Sequence, residues 1–580
     1  MNIKIRKWVN KLFIVHCSLF ISMALASCAD WDDHYDANTA LTDSQQATLW
    51  ENIQANGELS QFASLLKKAG YDAILNASQT YTVWAPVNGS FNYDALSAMS
   101  NDRLQKEFIE NHIARNNYIA SGAVSQRIFT INEKLMHFDG AQSYSIQGIS
   151  IAKPNLSAGN GTIHTLNGMI PFMPNIYESL NSYTYPIDSV SAYIHSFDEK
   201  KLNENKSVKG PTLNGEITYL DSIFDEHNNL FPRFDTYINV EDSNYTMIAP
   251  TNEAWIKAKN IVSQYFKYVP SFEFMENTST GSEKRKISVT IKDVKYLQDS
   301  IVNLMLARDL FYNNNLYNNG RLNNLAEGQT LQCDSLMSTT LSKVYTEDAA
   351  RLFENAIRID KSNGVLWVTD SLRMRTWTTW NPEIVIEGEM TSMLSSTVNV
   401  DGDPERVYVT PGTQNPEVTG KLSNDMFSMA QPASLSTNPG VVYYLPNVRS
   451  TTYSIYIVTV PANIVNPNAT TKPYRFNVSM GYADEKGTNQ DNEKKWALET
   501  AFVTDSAQID TVYLGDFTFP VAYAGTGNYY PYLRINSAVT SRERANYDRT
   551  LRIDCLILRP KELDDYLKAH PDYKYDTGIY

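Results

Sequence analysis

Cysteine is scarce in this chain: four among 580 residues. Cys17 sits inside an apolar N-terminal run and Cys28 just after it, which leaves Cys333 and Cys555, far apart and without metal-type spacing. No disulfide framework or metal-type spacing is visible on that count, and both read as buried free thiols. Positive charge is also short, with 50 Lys and Arg against 64 Asp and Glu and a net charge of −14. That balance excludes a nucleic-acid partner, which needs a basic face to neutralise phosphates. The one dense basic run, Lys284-Arg285-Lys286, lies in a polar stretch and reads as a solvated loop. Catalytic signatures are missing too: there is no G-x-S-x-G elbow, H-E-x-x-H, phosphate-cradling glycine loop or C-x-x-C. Carboxylates are too abundant for any pair to stand out as a glycosidase couple. The expectation is a chain with no catalytic centre and no cofactor.

What is present is ordinary folded-protein composition, 42% apolar and 20% charged, over a length that suggests three or four domains. Tyrosine is the exception, with 36 residues against 22 Phe and 9 Trp. An apolar ring with a polar tip suits recognition surfaces, and equally suits strands of a β-rich chain. At the N-terminus Lys4, Arg6, Lys7 and Lys11 precede an apolar run from Leu12 to Leu25, the plan of a secretory signal and too short for a comfortable membrane span. Loss of these four cations would take the net charge from −14 to −18. The run ends in Leu25-Ala26-Ser27-Cys28, which resembles the lipobox of bacterial lipoproteins. The resemblance implies cleavage after residue 27 and lipid attachment at Cys28, with acyl chains holding the protein to a membrane. Asp30, Asp32 and Asp33 follow at once and resemble an export tag to the outer face. An outer-membrane, lipid-anchored, surface-exposed protein is expected, with residues 28–40 as an acidic tether.

The chain then runs one programme twice. In the first copy Leu59, Phe62, Leu66 and Ala69 recur at helical spacing and Gly70 ends the helix. Tyr81-Thr82-Val83-Trp84-Ala85 reads as a strand, Pro86 sets a turn, and Asn88 is placed to cap the next helix. Leu104, Phe108, Ile109 and His112 form a second stripe, and Asn160 to Gly168 reads as turn, strand, turn. The second copy repeats the order: Tyr245 to Trp255, then Val302, Met305, Leu306 and Leu310, then Asn363 to Asp370. These pieces resemble the fasciclin family. Ala249-Pro250-Thr251-Asn252-Glu253-Ala254-Trp255 is a near-full match to its first signature, Ala85 to Phe91 a weaker one, and His112, Tyr118 and His164 fit the first domain. The second departs from the pattern, with Trp367 at the place of His164, Arg308-Asp309 near the helical histidine position, and an insert at about 257–298. The resemblance implies two α+β domains, at 41–175 and 185–373, with an extracellular adhesive or ligand-binding role.

After Leu372 helical stripes give way to short alternating strands between Gly, Pro, Asn and Asp turns, such as Thr511 to Leu514 and Leu551 to Leu558. This texture predicts an all-β sandwich over 376–562, with 563–580 as a C-terminal tail. Ile386-Glu387-Gly388-Glu389, Tyr444 to Val448 and Asp554 to Leu558 resemble jelly-roll carbohydrate-binding modules. The resemblance implies sugar stacked on exposed rings. The candidates are Trp377 and Trp380 at the start of the domain, and Tyr529, Tyr530 and Tyr532 in the loop after Gly525-Thr526-Gly527, each of which also fits ordinary packing. Glu387, Glu389 and Asp554 read as strand-edge carboxylates, with a structural Ca²⁺ as the alternative. The fold class expected is thus α+β multidomain, with extracellular protein or glycan as ligand. One alternative is an accessory glycan-binding lipoprotein beside an outer-membrane uptake transporter.

Overall fold

The structure, a computed structural model, describes residues 46–181, 184–204, 208–213, 215–221, 224–277, 284–523, 531–575 and 578–579. Cys28, Tyr529 and Tyr530 lie outside these residues. The chain forms two compact units, one ending at Phe172 and the other beginning at Met173.

In the first unit, helix α1 (Leu49–Ala55) opens on a capping box in which Thr48 accepts from Glu51 N and Glu51 accepts from Thr48 N. Helices α2 (Ser60–Lys68) and α3 (Tyr71–Leu75) follow, separated by Gly70. The strands are β1 (Tyr81–Pro86), β2 (Ile113–Arg115), β3 (Val124–Phe129), β4 (Leu135–Gly140), β5 (Tyr144–Ile146), β6 (Ile149–Ala158) and β7 (Gly161–Leu166), in spatial order β2-β1-β7-β6-β5-β4-β3. Only β1 and β7 run parallel, Tyr81 opposite Gly161 and Trp84 opposite His164. Alternation splits β1 between two cores: Val83 and Ala85 join Phe62, Leu66 and Phe108 on the helical side, while Trp84 joins Ile128, Phe138 and Leu166 on the other.

The second unit repeats this frame. Strand β8 (Tyr245–Pro250) runs parallel to β13 (Gly364–Thr369), with Tyr245 opposite Gly364 and Ile248 opposite Trp367, between β11 (Phe311–Asn313) and β12 (Ile357–Lys361). The register makes the two copies comparable atom by atom. Asn160 accepts from Leu49 N at 2.7 Å and donates to the Leu75 and Ala77 carbonyls. Asn363 accepts from Ile176 N at 3.0 Å and donates to the Ile238 and Val240 carbonyls. One buried amide thus ties the first helix, the loop before the parallel pair and the closing strand together in each copy. Asn88 and Asn252 also share a role, which for Asn88 is not the expected one. Asn88 accepts from Gln61 N and Asn252 from Ser189 N, so each caps the helix before the strand rather than the helix after it. The helices that follow are capped by Asn92 and Thr251.

Between β8 and β11 the second copy holds helix α4 (Asn252–Ser263), the hairpin β9 (Ser271–Asn277) and β10 (Lys284–Thr290), and helix α5 (Val294–Ala307). The inserted piece is therefore the hairpin and its flanks, and Lys284-Arg285-Lys286 lies on its second strand instead of in a loop.

Residues from Ile384 onward form a sandwich. One sheet carries Glu405–Tyr408, Met426–Ala430, Leu551–Pro560, Ile384–Glu387 and Gly578–Ile579 in that order, with Thr452–Thr459 and Asp510–Thr518 joined to it. The other carries Leu394–Val398, Gly440–Tyr444, Tyr532–Ser537, Arg475–Ala483 and Asn489–Glu493, with Phe502–Val503 paired to Arg475–Ala483. Ile386, Ile455 and Leu556 of the first sheet share one core with Val441, Val478 and Leu533 of the second. The segment expected as a tail from residue 563 begins inside helix α6 (Lys561–Ala569), which buries Leu563.

The hairpin joins the two parts of this unit. Phe272 is 4% exposed and belongs to the sandwich core, edge-on to Tyr523. Glu273 N donates to Gly487 O at 2.8 Å, and Ser450 N to Tyr265 O at 2.9 Å. The second α+β domain thereby supplies part of the interior of the sandwich.

Candidate functional site

The two family histidines are spent on structure. His112 donates from Nδ1 to the Phe108 carbonyl at 2.7 Å and accepts at Nε2 from Ile170 N at 2.9 Å. Burial pushes its pKa down to about 4, so the ring is neutral. His164 donates to the Tyr118 carbonyl, accepts from Asn155 N and stacks on Trp84. Burial lowers its pKa as well. In the second copy the strand registers place Leu310 where His112 stands and Trp367 where His164 stands, so apolar side chains fill both sites. Neither histidine has a nitrogen left for substrate.

The stacking candidates are corrected by the packing. Trp380 is 2% exposed, in the core of the second α+β domain, and Trp377 is 7% exposed. Tyr532 packs its ring against Gly481, lies under the Arg534 guanidinium and donates its hydroxyl to Asp491. None of the three offers an open ring face, because each closes an internal gap in place of facing a loop surface. Glu387, Glu389 and Asp554 are also buried, at 2%, 9% and 1% exposure, rather than exposed on strand edges. Ser423 serves this cluster, donating its hydroxyl to Glu387 and its amide to both Asp554 oxygens. Among the described residues no group of three His, Cys, Asp or Glu is placed to hold a metal ion.

An open site does exist beside Trp377. A cleft of about 430 Å³ is walled by Tyr345 and Glu347 of the second α+β domain and by Tyr566, His570, Asp572 and Tyr573 at and beyond α6. Asp348, 4% exposed, organises it: it accepts from Arg375 Nε at 2.9 Å and from the Tyr573 hydroxyl at 2.5 Å. Arg375 then lies over the rings of Trp377 and Tyr566 and donates to the Tyr566 hydroxyl. Trp377 Nε1 donates to the Tyr573 hydroxyl at 3.1 Å. His570 stacks on Tyr566 at 4.0 Å between centroids and uses Nδ1 on the Tyr566 carbonyl, which leaves Nε2 for a ligand. The rings are thus held by bonds made behind them, while Glu347 and Asp572 stand exposed at the rim.

Sequence reading missed this site because its parts come from two domains. The available signal was the aromatic density of 563–580, where Tyr566 and His570 fall one helical turn apart, close to Tyr573 and Tyr575.

Comparison with known proteins places one segment in a family: residues 57–172 match the fasciclin domain. No curated protein matches the chain by sequence. Among solved structures, the FAS1 domain pair of the insect cell adhesion molecule fasciclin I is 12% identical, over 56% of this chain and 99% of the other, with a TM-score of 0.19. A Paenibacillus xanthan lyase is 12% identical over 35% of this chain and 16% of that one, with a TM-score of 0.19. The C-terminal family 22 carbohydrate-binding module of Clostridium thermocellum Xyn10B is 12% identical over 28% and 86%, with a TM-score of 0.17. Scores at this level carry no weight for fold or function, and the architecture rests on the sheet order and registers above. The family match and the parallel β1–β7 frame fall on the same stretch, so residues 57–172 are the part of the chain that matches the fasciclin domain.

Proposed function

We propose that this chain is a non-catalytic, lipid-anchored surface protein that binds an extracellular ligand, with a glycan taken in the cleft between Tyr345 and Tyr566. The cleft carries the reading. Its volume falls in the roughly 300–1,000 Å³ range of small-ligand sites, and its walls combine fixed rings with exposed carboxylates. Flat rings suit the C–H face of a pyranose, and Glu347, Asp572 and His570 Nε2 suit its hydroxyls. The stacking role expected of Trp377 passes to the exposed ring of His570, which Tyr566 and, behind it, Trp377 support.

Affinity electrophoresis of the whole secreted chain against a panel of neutral polysaccharides tests this. Tyr566→Ala is expected to weaken retardation about tenfold, because His570 loses the ring it stacks on and Arg375 loses the hydroxyl it donates to. Equal retardation of the variant and the parent would move the sugar elsewhere. Free migration of both in every gel would leave protein-mediated adhesion as the account, for which the fasciclin domain at 57–172 is the supporting observation.

The anchor and the outer-membrane location belong to the same proposal, and association with an uptake transporter would follow from them. They are supported by the basic start, the apolar run and Leu25-Ala26-Ser27-Cys28. In detergent phase partition, the parent is expected in the detergent phase and Cys28→Ala in the aqueous phase. An aqueous parent would rule out the lipid.

A further inference from the structure

A second concavity, on the sandwich itself, has the opposite charge to the chain around it. It encloses about 360 Å³, and three cations, Lys472, Arg544 and Arg549, line it with one carboxylate, Asp548, beside Tyr547, Leu435 and Pro432. Arg549 is 6% exposed. Its Nε and Nη2 donate to the Val539 carbonyl and its Nη1 to the Leu435 carbonyl, at 3.2, 3.0 and 2.5 Å. All these acceptors are neutral, and among the described residues no carboxylate forms an ion pair with this buried guanidinium, an arrangement that costs stability unless a counter-charge arrives.

The nearby carboxylates are already committed. Asp548 is bridged to Arg552 at 2.8 Å and accepts from Thr550 N, and Glu543 is bound on both oxygens by Arg475. Lys472 reaches only the Arg544 carbonyl, at 3.1 Å. Lys472, Arg544 and Arg549 therefore converge without ion-pair partners among the described residues, in a chain of net charge −14. The walls are held before any ligand comes: Asp548 N donates to Pro473 O, Tyr547 N to Glu543 O, and Arg475 lies over the Tyr547 ring.

We propose that this concavity binds an acidic sugar, one carrying a carboxylate or sulfate group. The anion meets Lys472 and Arg544 in the field of Arg549, and the C–H surface of the ring rests on Leu435, Pro432 and Tyr547. A bare oxyanion would use the cations alone and leave the apolar wall uncovered. The chain as a whole carries a net charge of −14, which opposes unspecific anion binding, and binding here weakens with salt. The inference rests on the sugar-binding reading above but names a different site and ligand class.

The test is calorimetric titration of the whole secreted chain with four probes: an oligogalacturonate, a chondroitin sulfate oligosaccharide, a neutral dextran oligosaccharide and inorganic sulfate. One or both acidic sugars are expected to bind, more weakly as salt rises, and the other two probes not to bind measurably. Lys472→Ala/Arg544→Ala, which leaves the buried Arg549 in place, is expected to lose roughly tenfold or more of that affinity. Tyr566→Ala keeps it, which separates this site from the cleft. No binding of either acidic sugar, binding that the double variant leaves intact, or equal affinity for inorganic sulfate would each overturn the proposal.

Discussion

Gly364→Ala is expected to unfold the second α+β domain and the sandwich in one step, whereas Gly161→Ala unfolds the first unit alone. The two glycines are equivalent, each opening the closing strand of the parallel pair, with φ of +141° and +154°. A Cβ at either position would lie 1.9 Å from a backbone oxygen, that of Tyr245 or Tyr81. Backbone cannot swing aside like a side-chain end, so the pair must separate at its first residue. Positive φ adds about 1–2 kcal/mol for a residue with a side chain, and the total loss should reach roughly 3–5 kcal/mol. That is a large part of the ~5–15 kcal/mol a domain holds. The outcomes differ because of what each copy touches. Phe272 of the hairpin lies in the sandwich core, where burial of such a ring is worth about 1.5–3 kcal/mol, and hydrogen bonds to Gly487 and from Ser450 secure it. Denaturant unfolding followed by limited proteolysis with mass detection would show which segment opens. A sandwich that keeps its own midpoint in Gly364→Ala would mean the hairpin contact does not couple the two parts.

Asp554→Asn should stabilise the protein at neutral pH and flatten its response between about pH 4 and 8. Burial, above all, holds the Asp554 pKa up at about 8 against the ordinary 3.8, and the charges of Glu387 and Glu389 add to it. Burial also raises the pKa of Glu387 and Glu389. The Ser423 amide opposes the rise, and the Cys555 thiol beside Asp554 is itself pushed up by burial. A raised carboxyl keeps its proton in the folded state while the unfolded chain releases it near 3.8. Stability is therefore complete below that value and is lost as pH climbs through the folded value, at up to about 1.4 kcal/mol per pH unit. The amide in Asp554→Asn stays neutral and can still accept from Ser423 N, so the slope assigned to this residue disappears. Melting curves from pH 4 to about 9, with and without a chelator, read this directly. An unchanged slope sinks the prediction. A parent that melts earlier in chelator alone would mean that a hard cation such as Ca²⁺, instead of protons, neutralises the three carboxylates.

The frame of the first two-thirds was legible because its signals are local. Leu59, Phe62 and Leu66 sit at helical spacing, Tyr81 to Ala85 is a run of β-formers, and Asn-Gly opens both closing strands. Each needs only its own few residues to be read, and repetition of the order removed the remaining ambiguity. Asn88 shows where such reading stops. Its residue type promised a cap, but which helix it caps depended on a turn that folds back onto Gln61. Trp377, Trp380 and Tyr532 failed as open stacking rings for the same reason. An amphipathic ring is favoured at an open surface and in a packed junction alike, and only neighbours distant in the chain set Trp377 beneath Tyr566.

By itself, then, the sequence determined the two α+β copies and the switch to a β-sandwich, since these follow from periodicity, turn chemistry and composition. Tertiary structure alone decided that the insert of the second copy completes the sandwich core, that Glu387, Glu389 and Asp554 are buried together, and that the open clefts lie at Tyr566 and Lys472. Those outcomes depend on contacts between residues far apart in the chain, from 72 positions at Lys472 and Arg544 to 225 at Asp348 and Tyr573, where burial and pairing energies act and no local pattern leaves a trace.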